Sequence, residues 1–359
     1  MAKEFNKRLL LKGNEAAVYG ALLAGCDCYF GYPITPASEV AQTAALLFPK
    51  LNRPFLQAES EIGAINMVIG ASASGRRAMT ASSGLGISLK QEGMSYLAAY
   101  ELPAVIVDVT RGGPGLGNIG PEQSDYFQLT KGGGHGSYKC LVYTPNSAQE
   151  MCDMTYEAFS MAEKYRMPVY VMADGVIGQM MESLDLPEPV NYDYDPEWKM
   201  GKVINGEANI HSSIYMEYDD LEALNHRLQA KYREIEANEQ RSEEIMTDDA
   251  EIVIVAHGIC SRVAAGAIEQ LRAMGVKAGL LRPQMVYPFP ADAMKKLASN
   301  GKVKAFVSLE LSAGQMIEDI RLAIECKLPV FLSNRMGGNI PSCDEVCASV
   351  KKIYDEVTK

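Results

Sequence analysis

No pair of cysteines in this sequence has the Cys-x-x-Cys spacing, although there are eight of them, at positions 26, 28, 140, 152, 260, 326, 343 and 347. A ferredoxin-type cluster run and a zinc-knuckle pair are therefore absent. The thiols are scattered along a long chain, which favours the reduced form, and Cys26-x-Cys28 and Cys343-x₃-Cys347 read as core and helix-face positions. Positive charge is also scarce. Lys and Arg number 34 against 45 Asp and Glu, a net charge of −11, so the clustered cations that hold nucleic-acid phosphates are missing and an anionic membrane surface is disfavoured. No apolar run reaches the roughly 18 residues of a membrane span. The opening "MAKEFNKRLLLKGNE" has too short an apolar run before Lys12 and Gly13 for a signal peptide, and the expected location is the cytoplasm.

What is there is a chain of 359 residues, enough for two or three domains with a sizeable core. "NEAAVYGALLAG" (14–25) predicts a helix with Gly25 as C-cap, and "CYFGY" follows as a strand. Helical patterns over 37–47, 60–74, 87–100 and 147–165 then alternate with strands near 54–58, 77–82, 103–110, 140–145 and 168–173. Such alternation predicts a doubly wound α/β unit with a mostly parallel sheet covered on both faces. Near Pro187 the texture becomes extended and Pro-rich, and 221–246 is a charged helix pattern with little apolar face, expected to act as a connector. From Glu251 a second α/β unit begins, with helices expected over 261–274, 291–299, 315–326 and 342–357. The expected organisation is a first domain at 1–190, a linker with a charged helix at 191–248, and a second domain at 249–359.

Four stretches could carry chemistry. In "GYPITPASE" (31–39) two prolines stiffen a strand-to-helix loop and present Thr35. That is either a ligand loop or a Pro-shaped turn with Ser38 as helix cap. "GLGNIG" (115–120) has the Gly-x-Gly-x-x-Gly form of a dinucleotide site but the wrong context: "RGGPG" separates it from the strand, Pro121-Glu122 follows it, and no carboxylate stands in "SYKCLVY". In "QAESEIGAINMVIGASASG" (57–75), Glu59 and Glu61 sit where an apolar helix begins and Ser60 can cap it. A carboxylate there either complements the helix dipole, worth about 0.3–1 kcal/mol, or is held in buried space where it can share a proton with a ligand nitrogen. "VTRGG" puts Arg111 at the carboxyl end of a strand, as a bidentate carboxylate grip or an ordinary loop arginine.

Together with "ISLKQEGMSYLAAYELP", "RGGPGLGNIGPEQSDYFQLTKGGGHG" and "LRPQMVYPFP", these stretches resemble the α-type chain of the 2-oxoacid:ferredoxin oxidoreductases, most of all the branched-chain (2-oxoisovalerate) type. The resemblance implies a thiamine diphosphate pyrimidine-binding domain followed by a transketolase-C-like domain. It implies that Glu61 contacts N1′ of the aminopyrimidine and drives formation of the imino tautomer, with Ser83 also on the cofactor side. It implies that Thr35 hydrogen-bonds the 2-oxoacid and that Arg111 holds its carboxylate. No metal ligand is expected on this chain. Mg²⁺ and iron–sulfur clusters would lie on partner subunits, a β-type thiamine diphosphate/iron–sulfur chain and a ferredoxin-like chain. Coenzyme A would be co-substrate and ferredoxin the electron acceptor. His135 reads as an exposed loop residue in preference to a substrate-side donor. The competing readings are a 2-oxoglutarate-specific subunit, a non-catalytic assembly or binding homologue, and a nicotinamide dehydrogenase, the last disfavoured by the failed fingerprint.

Overall fold

The computed structural model describes residues 8–190 and 195–359; the expected start of the linker at 191 lies outside the described residues. The chain opens with β1 (Leu9–Lys12), α1 (Gly13–Leu23), β2 (Cys28–Gly31), α2 (Ser38–Leu47), β3 (Phe55–Gln57) and α3 (Glu61–Ala73). It continues through β4 (Ala78–Ser82), α4 (Leu85–Ala99), β5 (Ala104–Thr110), the short α5 (Tyr126–Thr130), β6 (Leu141–Tyr143) and α6 (Ala148–Tyr165). β7 (Pro168–Asp174), α7 (Gly175–Gln179) and β8 (Met181–Leu184) follow, then a small hairpin of β9 (Val203–Ile204) and β10 (Glu207–Ala208) and the long α8 (Tyr218–Asn238). The last part runs β11 (Ser242–Ile245), β12 (Ile252–Val255), α9 (Gly258–Ala273), β13 (Ala278–Pro283), β14 (Met285–Tyr287) and α10 (Ala291–Ala298). β15 (Ala305–Glu310), α11 (Met316–Ala323), β16 (Val330–Asn334) and α12 (Cys343–Val357) complete it.

Two sheets organise these elements, in the orders β14-β6-β7-β5-β4-β2-β3 and β11-β13-β12-β15-β16. Each is parallel except for one antiparallel edge strand, β14 on β6 and β11 on β13. Every residue of β5 and β7 is buried, as expected for central strands covered on both faces. Local signals set the ends. Gly25 takes φ +83 after α1, the left-handed turn that glycine tolerates best, and Ser147 caps α6 by accepting from the Glu150 amide at 3.1 Å.

Three features depart from the expectations. α8 ends at Asn238, and Ser242–Ile245 forms a strand of the second sheet where the charged pattern predicted helix to 246. α8 is also no bare connector: Leu224, Leu228, Tyr232 and Ile235 are buried against the first unit, while Arg227 and Lys231 hold Glu101. Four apolar positions at near-helical spacing suffice to dock a helix whose other faces are charged. Finally β14, from "LRPQMVYPFP", joins the first sheet instead of the second.

Candidate active site

Open parallel sheets bind ligands at their carboxyl edge, in the crevice where the connections reverse direction. Here β2 leads to β3 on one side and β3 returns to β4 on the other, so the crevice lies between β2 and β4. The loops after β2, β3, β4 and β5 bring Thr35, Glu61, Ser83 and Arg111 to that edge.

Glu61 is the first residue of α3 and only 6% exposed. Ser60 already caps the helix by accepting from the Gly63 amide at 3.0 Å, which leaves the Glu61 carboxylate free of that duty. A Cβ added to Gly86 would lie 2.7 Å from Glu61 Oε1 and 2.2 Å from Ser82 Oγ, so glycine is needed for α4 to pass this close. Ser82 and Ser83 are fully buried, and their hydroxyls have no hydrogen-bond partner among the described residues. Buried hydroxyls are normally satisfied. A buried carboxylate near the unpartnered Ser82 hydroxyl, with that of Ser83 next along the chain, fits the edge of a flat, nitrogen-bearing ring such as an aminopyrimidine.

Arg111 spans two loops, Nη1 donating to the Thr35 carbonyl at 2.9 Å and Nη2 to the Leu116 carbonyl at 3.0 Å. Thr35 and Arg111 therefore meet, but through the Thr35 main chain. The Thr35 hydroxyl is exposed, 3.4 Å from Ser38 Oγ, and Ser38 makes no capping bond to α2. Behind Arg111 stands Gly84 at φ +49, where an added Cβ would be 3.4 Å from Arg111 Cγ. A cleft of about 760 Å³ opens between this arginine and the second unit, walled by Gly84, Glu122, Asp125, Gln315 and Met336. His135 is exposed and lines a different cavity with Tyr96, Leu221 and Leu228.

Several residues that the sequence did not single out support this site. Asp108 and Asp125 lie together beneath Gly84, whose amide donates to Asp125 Oδ2 at 3.2 Å. Burial first, and then the neighbouring Asp125 charge, pushes Asp108 well above the ordinary carboxylate range. Burial likewise pushes Asp125 up to about 6 against the hydrogen bonds it accepts. A lone aspartate in the apolar run "VIVDVT" was the available signal. Glu122 accepts from the Gly113 amide at 2.8 Å and the Gly337 amide at 3.2 Å, tying the arginine's loop to the second unit. Nothing local marks that pairing, because its partners are far apart in sequence. At the strand ends of the second unit the polar groups are already engaged. Arg282 forks onto Glu150 at 2.8 and 2.7 Å, and Glu310 accepts from Ser308, Ser312 and the amides of Gln315, Met316 and Ile317.

Residues 19–247 match the family model described as "Pyruvate flavodoxin/ferredoxin oxidoreductase, thiamine diP-bdg". The chain belongs to this oxidoreductase family. Residues 250–346 match a second model, "Pyruvate:ferredoxin oxidoreductase core domain II". The chain is 55% identical to a ketoisovalerate oxidoreductase subunit, VorB, of Methanothermobacter marburgensis, over 97% of this chain and 98% of that one. Among solved structures it resembles a 2-oxoglutarate:ferredoxin oxidoreductase from Magnetococcus marinus, determined with 2-oxoglutarate, coenzyme A and succinyl-CoA bound. The TM-score is 0.86 at 26% identity, covering 96% of this chain and 65% of that one. A split-gene transketolase shares the fold, with a TM-score of 0.60 at 14% identity over 97% of this chain and 98% of that one. The fold is thus the two-domain α/β arrangement of a thiamine diphosphate pyrimidine domain and a transketolase-C-like domain, and the chain is part of an oxidoreductase. In this oxidoreductase chain "GLGNIG" is no dinucleotide fingerprint: Gly117 turns so tightly that a Cβ would strike the Gly112 carbonyl, and the next helix starts only at Tyr126.

Proposed function

We propose that this chain is the pyrimidine-side subunit of a thiamine diphosphate-dependent 2-oxoacid:ferredoxin oxidoreductase, and that it serves the oxidative decarboxylation of a branched-chain 2-oxoacid, 2-oxoisovalerate, to its acyl-CoA. The observation that carries this reading is Glu61, a buried carboxylate at the carboxyl edge of the sheet, packed against Gly86 beside the unpartnered Ser82 hydroxyl, with the unpartnered Ser83 hydroxyl next along the chain. Bound thiamine diphosphate supplies the carbanion chemistry that a protein lacks. This chain's task is to hold that cofactor's pyrimidine through Glu61 and Ser83 and to keep a proton in play at Glu61. Thr35 and Arg111 orient the 2-oxoacid, the arginine gripping its carboxylate.

The rest of the assembly lies elsewhere. A β-type partner supplies the diphosphate- and Mg²⁺-binding half together with iron–sulfur clusters, a ferredoxin-like subunit carries further clusters, and ferredoxin takes the electrons. Coenzyme A accepts the acyl group, and the cytoplasm is the place of action. The absence of cluster-type cysteine spacing in this chain supports that division. A branched-chain substrate is supported over 2-oxoglutarate by the walls of the cleft, where among the described residues Arg111 is the one cation and Glu122 and Asp125 are acidic. A second substrate carboxylate would find repulsion there.

Glu61→Gln tests the reading in the assembled enzyme. The chain should fold and assemble, while coenzyme A-dependent decarboxylation with a dye acceptor falls at least about 10²-fold, the lower end of general acid–base contributions. Retention of more than a tenth of the activity would refute the role of Glu61. A preference for 2-oxoglutarate over 2-oxoisovalerate would refute the substrate.

A further inference from the structure

Lys90 is wholly buried, the one lysine in the buried set among the described residues. It lies on α4, on the face that α4 turns toward α3. Gly86, Lys90 and Gly93 fall at i, i+4 and i+7 on that face. Each meets α3 in turn: Gly86 stands against the Glu61 carboxylate, Lys90 Nζ donates to the Glu61 carbonyl at 3.3 Å, and a Cβ on Gly93 would come within 2.5 Å of Ile65. The two glycines let the helices approach closely on either side of the lysine side chain. A methionine would fill that space without the cost of desolvating an ammonium, so packing alone does not account for the charge.

We propose that Lys90 is a positioning residue for Glu61, a buried cation that keeps the catalytic carboxylate ionised before the cofactor arrives. The inference rests on the reading of Glu61 given above. Lys90 does not form an ion pair with the carboxylate. Its ammonium is fixed on the Glu61 main chain, so its charge acts through space in a dry setting where such fields are strong. Burial pulls Lys90 down to about 8 and the Glu61 charge opposes that, which leaves the ammonium as the main form at neutral pH. From α3, Glu61 is the charged group that acts on it. Of the other elements beside α4, the loop after β5 puts Asp108 and Asp125 at its N-terminal end, where the Gly84 amide donates to Asp125, and the 132–138 segment carries His135; among the described residues Glu61 is the one charged group that shifts Lys90. With Lys90 present, Glu61 offers thiamine diphosphate an empty acceptor, and a proton is taken up on binding. Without it, that acceptor has lost the buried ammonium fixed on its own main chain.

The experiment is calorimetric titration of thiamine diphosphate with Mg²⁺ into the purified, cofactor-stripped complex. It is run at pH 6.5 and 7.5 in two buffers of different ionisation enthalpy, so that proton uptake is read directly. Wild type should take up about one proton, Lys90→Met less than about half of that at pH 6.5, with binding weakened roughly tenfold. Lys90→Gln separates the two possible roles, since it keeps a donor for the Glu61 carbonyl and removes the charge; it should follow Lys90→Met. Wild-type proton uptake in either variant overturns the proposal, and so does failure of both variants to assemble, which would make Lys90 a folding residue. If instead Glu61→Gln leaves uptake unchanged, or the wild-type complex does not bind thiamine diphosphate, the reading of Glu61 itself fails. Loss of uptake in Glu61→Gln with normal uptake in Lys90→Met sinks the lysine's role alone.

Discussion

Asp108 and Asp125 share one pocket beneath Gly84 and cannot both be ionised there at low cost. The folded-state values of both are raised, so the sign of their effect on stability follows. The stabilisation is fully present below the unfolded carboxylate range, near pH 4, and is lost as pH rises through about 6, where Asp125 gives up its proton. Asp108→Asn replaces a carboxyl that must stay protonated with a neutral group of the same shape that can still donate to Asp125. Thermal unfolding should be nearly unchanged at pH 5 and shifted upward at pH 8, by about 1–2 kcal/mol of stability. A variant less stable than wild type at pH 8 would mean that the pair is held by something other than a shared proton. Functionally the pair matters through Gly84, because the amide that Asp125 accepts belongs to the residue that backs Arg111.

At the scale of elements, α8 shows how little apolar surface docks a helix. Leu228 is 5% exposed and sits in the middle of the buried row, so Leu228→Ala should cost about 2–5 kcal/mol in urea unfolding without touching the cleft. A loss under about 0.5 kcal/mol would restore the connector reading. The same helix marks where the sequence is hard to read. α3, α4, β4 and β5 were legible because their apolar periods and Ser60 or glycine punctuation are local, and with them came Glu61 and Arg111 at element ends, whereas Ser83 came only through the family resemblance. α8 was not, because four buried positions are outnumbered by charges that face solvent. β14 was not, because a three-residue strand carries no period of its own, and its partner β6 lies in the other half of the chain. Lys90 escaped for a third reason: a lysine in a helix reads as a surface residue until the glycines flanking it are seen to draw a second helix close.

At the scale of the whole molecule, the two units share one apolar cluster, which runs from the first sheet to Val253, Leu281, Phe306 and Ile320 of the second unit, and polar groups stitch the seam as well. Gln123 pairs with Leu311 through both amide and side chain, at 2.7 and 3.1 Å, and donates to the His257 carbonyl at 3.0 Å. The Asp174 carboxylate accepts from the amides of Val176 and Ile177 at 3.1 Å and Ile259 at 2.7 Å, so one side chain serves the first turns of α7 and α9. Gly120 and Gly338 touch backbone to backbone, and Asn118 donates to the Gly337 carbonyl at 3.0 Å. The proposed substrate grip and the inter-unit seam therefore share one loop, since the loop that Arg111 holds is also the loop that the second unit clasps.

The antiparallel pairing of β14 with β6 has a bearing on heredity as well as on shape. The two family models divide between residues 247 and 250, yet the strand that closes the first sheet is encoded after that divide. A gene cut there would yield a product whose β6 ends in an open, hydrogen-bond-hungry edge, the kind of edge that recruits other chains. Residues 1–247 expressed alone should accordingly collect in the insoluble fraction, and adding a peptide spanning 283–290 should not be needed when the full chain is made. A soluble, monomeric 1–247 fragment would show that the edge is dispensable. If it is not, recombination cannot trade the two halves between relatives as independent parts, and each lineage must inherit its second half along with the first.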